Sequence, residues 1–205
     1  MRGKWIIAVI LVVWLFISLN PVFAQNTEKK DNPLALADKV KQLIAKRDYK
    51  NALIKARELY LNLWNKSPLF LKKALLIEDE PQGVGIYTER KDNKFAEGDP
   101  IYIYVEPAGY TVLKKGDVYT FGLIADFAIL DQDGNHLYEK KNFGRWSMKS
   151  KDFNTEFFLF LRYSFTGIKP GKYKIITTLK DMNNPSKKVA VITPIEIVKS
   201  SGSNQ

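Results

Sequence analysis

Apolar positions recur at helical spacing between residues 36 and 64, and from residue 101 they alternate. Leu36, Val40, Leu43 and Ile44 fall at i, i+4, i+7 and i+8, one face of a helix. Asp48 interrupts as a cap. Leu53, Ala56, Leu59, Tyr60, Leu63 and Trp64 then make a second apolar stripe. Two helices on so short a link predict an antiparallel hairpin over residues 34–66. After Ser67-Pro68, a good helix start, residues 71–78 are assigned to a strand. β-branched and aromatic content rises after Pro81, so residues 84–90 are assigned to a strand as well. IYIYVEP (101–107) alternates strictly, and VYTFGLIADFAIL (118–130) is long and apolar. Asp133-Gly134 marks a hairpin turn, with HLYEKKNF (136–143) as the return strand. EFFLFLRYSF (156–165), KYKIITTLKD (172–181) and KVAVITPIEIV (188–198) follow without an intervening helix. About seven strands separated by turn chemistry predict an antiparallel sandwich over residues 67–199.

The turn at Pro170-Gly171 sharpens the fold expectation. Immunoglobulin-like sandwiches place a tyrosine where a late strand begins, its hydroxyl bonded to backbone a few residues upstream. Tyr173 stands at that position, ahead of Ile175, Thr177 and Leu179 on an inward face. Pro170, Gly171 and Tyr173 are therefore structural. The expected fold is mainly β, an immunoglobulin-like antiparallel β-sandwich preceded by an α-helical hairpin.

The N-terminus follows a different pattern. A short basic start, MRGK, precedes fifteen residues interrupted only by Ser18, and Asn20-Pro21 breaks the run before Val22-Phe23-Ala24. This three-part arrangement predicts a secretory signal peptide over residues 1–24, cleaved near Ala24. The mature chain is then periplasmic or secreted. The alternative is an inner-membrane anchor formed by residues 5–19, an apolar run shorter than the ~20 residues that a span usually needs. Residues 25–33 are polar and expected to be flexible, as is the tail at 200–205.

Two resemblances enter here. KRDYKNALIKARELY is similar to one helical hairpin of a tetratricopeptide repeat, but it does not recur at the repeat spacing. The β region, about residues 80–198, resembles an uncharacterised family of bacterial cell-envelope proteins. The similarity rests on Gly85, Tyr87 and Arg90, on Phe95, Gly98, Asp99, Pro100 and Ile101, and on Tyr104, Glu106 and Pro107. Pro170, Gly171, Tyr173 and Asp181 complete it. The resemblance implies an exported β-sandwich and brings no known activity with it.

Composition narrows the chemistry. The chain of 205 residues has no cysteine and one histidine, His136. Disulfides, thiolate catalysis, Cys-ligated zinc and lipid attachment through an N-terminal Cys are excluded, as are sites that need two histidines from one chain. DQDGNH (131–136) superficially resembles a calcium loop, but its glycine stands fourth rather than sixth. No metal, cofactor or catalytic residue is assigned, and there is no Gly-x-Ser-x-Gly nucleophile motif. The formal charge of +10 points to anionic company. Export removes nucleic acid from the candidates and leaves an envelope protein or a glycan. The membrane is expected to be touched only through an uncleaved leader.

The candidate binding residues are aromatic and charged. Tyr102, Tyr104 and Glu106 share one face of their strand, opposite Ile101, Ile103 and Val105. Either the helical hairpin buries that outer aromatic face through Leu53, Leu59, Tyr60 and Trp64, or the face is a platform for a sugar ring or a partner's side chains. Arg90, Glu106, Asp126 and Arg162 are strand charges that either pair or line a groove. EKKNFGRWSMKSKD (139–152) reads as a basic loop presenting Arg145 and Trp146. The expected role is non-catalytic binding or scaffolding in the bacterial envelope. The alternative is a glycan-binding accessory module using Tyr104 or Trp146, or a hydrolase of envelope polymers using Glu106 or Asp126.

Overall fold

The computed structural model describes residues 32–199. The expected leader, most of the expected flexible segment and the expected tail lie outside the described residues. The chain divides into two compact units, with the boundary between Leu59 and Tyr60.

The first unit carries α1 (Pro33–Ala45) and the first eleven residues of α2 (Tyr49–Lys66). Asn32 caps α1 by accepting from Leu34 N at 2.9 Å, and Pro33 follows where its missing N–H costs nothing. Arg47 turns the chain with φ of 58°. Asp48 then caps α2, accepting from Asn51 N at 3.2 Å.

The second unit is an immunoglobulin-like β-sandwich. One sheet has three strands in the order β1 (Phe70–Ile77), β3 (Ile101–Ala108), β7 (Leu159–Tyr163). The other runs β2 (Lys94–Ala96), β9 (Lys188–Val198), β8 (Gly171–Asp181), β5 (Val118–Asp131), β4 (Leu113–Lys115). The long β6 (His136–Ser150) also pairs with β5. All pairings are antiparallel except β2 with β9. Between the sheets lie Ile101, Ile103, Val105, Leu159 and Leu161 from one side, and Leu123, Ala125, Ile175, Leu179 and Ile195 from the other. Alternation places these side chains inward, and their burial supplies the main driving force.

The last turns of α2 belong to this unit. Trp64 is buried, its indole N–H donates to Tyr110 O at 2.9 Å, and its ring meets the Tyr110 ring edge-on at 4.9 Å. Tyr110 stacks in turn on Phe121 at 4.6 Å. Tyr173 donates its hydroxyl to Lys169 O at 2.7 Å, four residues upstream across the Pro170-Gly171 turn.

Three sequence expectations differ from the structure. Residues 84–90 form no strand. They belong to a strap from Glu78 to Asn93 held by isolated bridges at Ile77–Glu89 and Gly83–Ile86. The expected loop at 139–152 is mostly strand, because β6 pairs with β5 as far as Ser150. Its lysines and serines obscure any alternation, as is common where a charged edge strand guards a sheet. Tyr60, expected under the aromatic face, is 43% exposed.

Candidate functional site

Tyr102, Tyr104 and Glu106 lie on the outer face of the three-stranded sheet. Register places Tyr104 between Leu75 and Phe160, and Tyr102 between Ile77 and Arg162. The strap covers the centre of this face. Tyr87 packs on Tyr104 at 4.4 Å, Phe158 stacks on it at 5.5 Å, and Gly85 N donates to its hydroxyl at 2.8 Å. That hydroxyl donates to Glu106 Oε1 at 2.8 Å. Lys72 Nζ lies 3.7 Å from Glu106 Oε2, and Lys73 Nζ donates to the Tyr87 hydroxyl at 2.7 Å. Tyr104 and Glu106 are buried, so neither is available to an incoming ring. Burial pushes the Tyr104 phenol up to about 12, with the neighbouring Glu106 acting in the same direction. The rim of the face stays open: Tyr102 is half-buried 6.5 Å from Phe160, with the exposed Arg162 guanidinium over its ring at 5.8 Å.

Arg90 is engaged in holding the strap. Its guanidinium donates to Lys94 O at 2.8 Å, approaches Glu78 and Asp92, and lies over the Phe95 ring at 4.5 Å. Arg145 and Trp146 are neighbours in sequence on opposite faces of β6. Trp146 opposes the buried Leu123 and folds over Gly144, where a Cβ would collide with its ring. Arg145 opposes Ile124 on the outer face. Asp126, on the other sheet from Glu106, is committed as well. Its Oδ1 accepts from Asn142 N and from Lys180 Nζ, both at 2.8 Å.

A wide apolar opening lies elsewhere. A cleft of about 700 Å³ lies between the end of the β5–β6 hairpin and the β7–β8 connection. One wall carries Ile129, Leu137 and Tyr138, and the other Phe165, Ile168 and Tyr173. Beneath it, Phe127 meets Tyr138, Phe143, Tyr163 and Phe165 within 4.9–6.5 Å, a fixed aromatic floor. Leu137 and Tyr138 are 51% and 55% exposed although they belong to a regular strand. Three of the cleft's polar side chains, Asp131, Ser164 and Tyr173, are committed to neighbours. Asp131 accepts from Asn135 and Asp133, which holds the hairpin tip and keeps its carboxyl below the usual range. Ser164 donates to Gly98 O, and Tyr173 to Lys169 O. Sequence reasoning passed over Leu137 and Tyr138 because the facing wall comes from residues 164–173, on a separate connection. The one signal was two adjacent large apolar side chains directly after a hairpin turn.

Among the described residues, no three His, Asp or Glu side chains gather as metal ligands, and no helix is long and apolar enough to cross a membrane. No protein-family model matches the chain, and no curated protein matches it. Among solved structures, the chain has a weak likeness to the sporulation control protein Spo0M from Bacillus subtilis, with a TM-score of 0.28 and 7% identity. The match covers 66% of this chain and spans about half (51%) of that chain.

Proposed function

We propose that the protein is an exported, non-catalytic binding protein of the bacterial envelope, and that it takes apolar side chains of a protein partner into the end cleft. One observation carries this reading. Leu137 and Tyr138 stand exposed on a paired hairpin strand, above a packed aromatic floor and beside an opening large enough for several side chains. Rigid aromatic anchors beside a concave apolar surface are what a binding hot spot requires. Asp131, Ser164 and Tyr173 are already engaged, and the walls are built mainly from large apolar side chains. The cleft therefore suits a protein better than a sugar. The leader-like N-terminus and the resemblance of the β region to envelope proteins support the location.

The test is affinity capture from solubilised envelope with the full chain and with a Leu137→Ala/Tyr138→Ala version shown to fold. Both changes sit on exposed side chains, so stability is expected to shift by less than about 1 kcal/mol. A protein held by the parent and lost by the variant supports the reading. Elution by soluble saccharide in place of a protein partner would favour the glycan-binding alternative.

A further inference from the structure

The outer face of the larger sheet has a pattern that the end cleft does not use. Register aligns its side chains in rows across β9, β8, β5 and β6. One row reads Lys188, Lys180, Ile124, Arg145. Four residues along, past the row of Ala190, Thr178 and Asp126, Ile192, Ile176 and the buried Ala128 stand side by side, ending at Glu139. The next pair is Pro194 and Lys174, and beyond it Glu196 and Lys172. An apolar stripe thus runs between two sets of cations on this sheet. Ile192 is 62% exposed, and Lys172, Lys174, Lys188 and Arg145 are all exposed. The acids of the face are partly spent: Asp126 holds Lys180, and Glu139 pairs with Lys141. Lys180 and Lys188 oppose each other directly, and Asp126 neutralises only the first, so the exposed Lys188 keeps its charge for an anionic surface.

We propose that this face docks on an anionic lipid bilayer, with the Lys172–Lys174 end and the Lys188–Arg145 row against headgroups and the Ile192–Ile176 stripe at their boundary with the acyl chains. Charge complementarity selects an anionic occupant, and the exposed Ile192 with Ile176 between the cations selects a bilayer over a polyanion. A nucleic acid strand would be tracked by a basic groove with stacking rings, and no aromatic ring stands in these rows. The inference goes beyond the cleft reading and does not depend on it, since the two surfaces share no named residue. Each basic side chain near an anionic membrane raises partitioning about five-fold at low salt.

The chain has no cysteine, so Ala190→Cys, exposed beside Ile192, gives the full chain a single attachment point for an environment-sensitive dye. The probe surfaces are phosphatidylcholine vesicles with and without 30% phosphatidylglycerol. The expected result is a blue shift on the anionic vesicles alone, reversed by ~0.5 M salt. Lys174→Glu/Lys188→Glu is expected to lower the apparent affinity roughly 25-fold or more, with Lys174→Gln and Lys188→Gln each giving an intermediate loss. Contact through the apolar N-terminal run alone would leave a dye at residue 190 in water on both vesicles, and that result overturns the proposal. So does an equal shift on neutral vesicles, or the same shift with a soluble polyanion in place of vesicles.

Discussion

The Tyr104 hydroxyl donates to Glu106 Oε1 at 2.8 Å while accepting from Gly85 N at 2.8 Å. Two same-face residues of β3 are thereby tied to each other and to the strap that covers them. Tyr104→Phe keeps the ring stack with Tyr87 and Phe158 but leaves Glu106 short of a donor and Gly85 N without its acceptor. A loss of about 1 kcal/mol is expected, since Glu106 is buried while the exposed Gly85 can turn to water. Hydrogen exchange should locate the change: amides of residues 83–89 exchange faster while those of β5 and β8 keep their protection. Uniform loosening of the whole sandwich would contradict this role for the hydroxyl.

Acid stability should depend on Asp126. Burial works to raise its carboxyl, but the Asn142 N–H and the Lys180 ammonium outweigh it and hold the group below the usual carboxylate range. A folded value below the unfolded one means stability that is present above about pH 4 and lost as pH falls through the folded value. Asp126→Asn should cost about 1.5–3 kcal/mol near neutrality. The gap to the parent should close at low pH, where the parent carboxyl is protonated as well. Urea unfolding across the acid range measures this, and a pH-independent gap would assign the loss to packing. The same carboxylate holds Asn142 at φ 52°, where two extra residues of β6 oppose one position of β5.

The central strands were legible because their apolar periodicity is local. Ile101, Ile103 and Val105 alternate within β3, and Ile175, Thr177 and Leu179 within β8, so each shows its buried face unaided. Tyr102, Tyr104 and Glu106 were placed on the correct face, but what covers them was not legible. The cover comes from Gly85, Tyr87 and Phe158, which sequence pattern gave no reason to bring together. The second half of β6 was hidden for another reason. Arg145, Ser147 and Lys149 on an exposed edge look like loop composition, and only their pairing with Ile124, Gly122 and Thr120 shows the strand. The cleft was missed because its walls, 129–138 and 164–173, meet only once the sheets are assembled.

Trp64 should be the residue of α2 on which the sandwich depends most. Its ring fills a buried site against Tyr110, and its N–H satisfies the Tyr110 carbonyl. Trp64→Ala is expected to cost about 3–5 kcal/mol. Trp64→Phe keeps much of the volume and loses the hydrogen bond, for about 1–2 kcal/mol. Tyr60→Ala, one turn earlier and 43% exposed, should cost far less than Trp64→Ala. Thermal or urea melts rank the three, and equal losses at Tyr60 and Trp64 would contradict the assignment.

The leader reading makes a chemical prediction. If residues 1–24 are removed by a signal peptidase, the mature protein begins at Gln25, and Ala24→Arg should block processing and leave the longer chain in the membrane fraction. Mass spectrometry of the protein recovered from its host gives the answer. Recovery of the unprocessed parent chain in membranes would instead support an anchor formed by residues 5–19.

Gly109 should be the least replaceable glycine of the sandwich. It follows β3 with φ of 74°, and a Cβ there would run into the carbonyl oxygen of Pro68, where the chain enters β1. Backbone cannot yield as a side chain can, so Gly109→Ala carries two costs: left-handed strain of about 1–2 kcal/mol and the displacement of β1 from the end of β3. Gly116 isolates the first cost. Its φ is 60°, and a Cβ would meet nothing within 4 Å. Gly116→Ala is therefore expected to lose about 1 kcal/mol and Gly109→Ala about 3 kcal/mol or more. Urea midpoints for the pair decide it. Equal losses would show that β1 adjusts freely at Pro68, and that the close approach of residues 68 and 109 does not hold the three-stranded sheet in register.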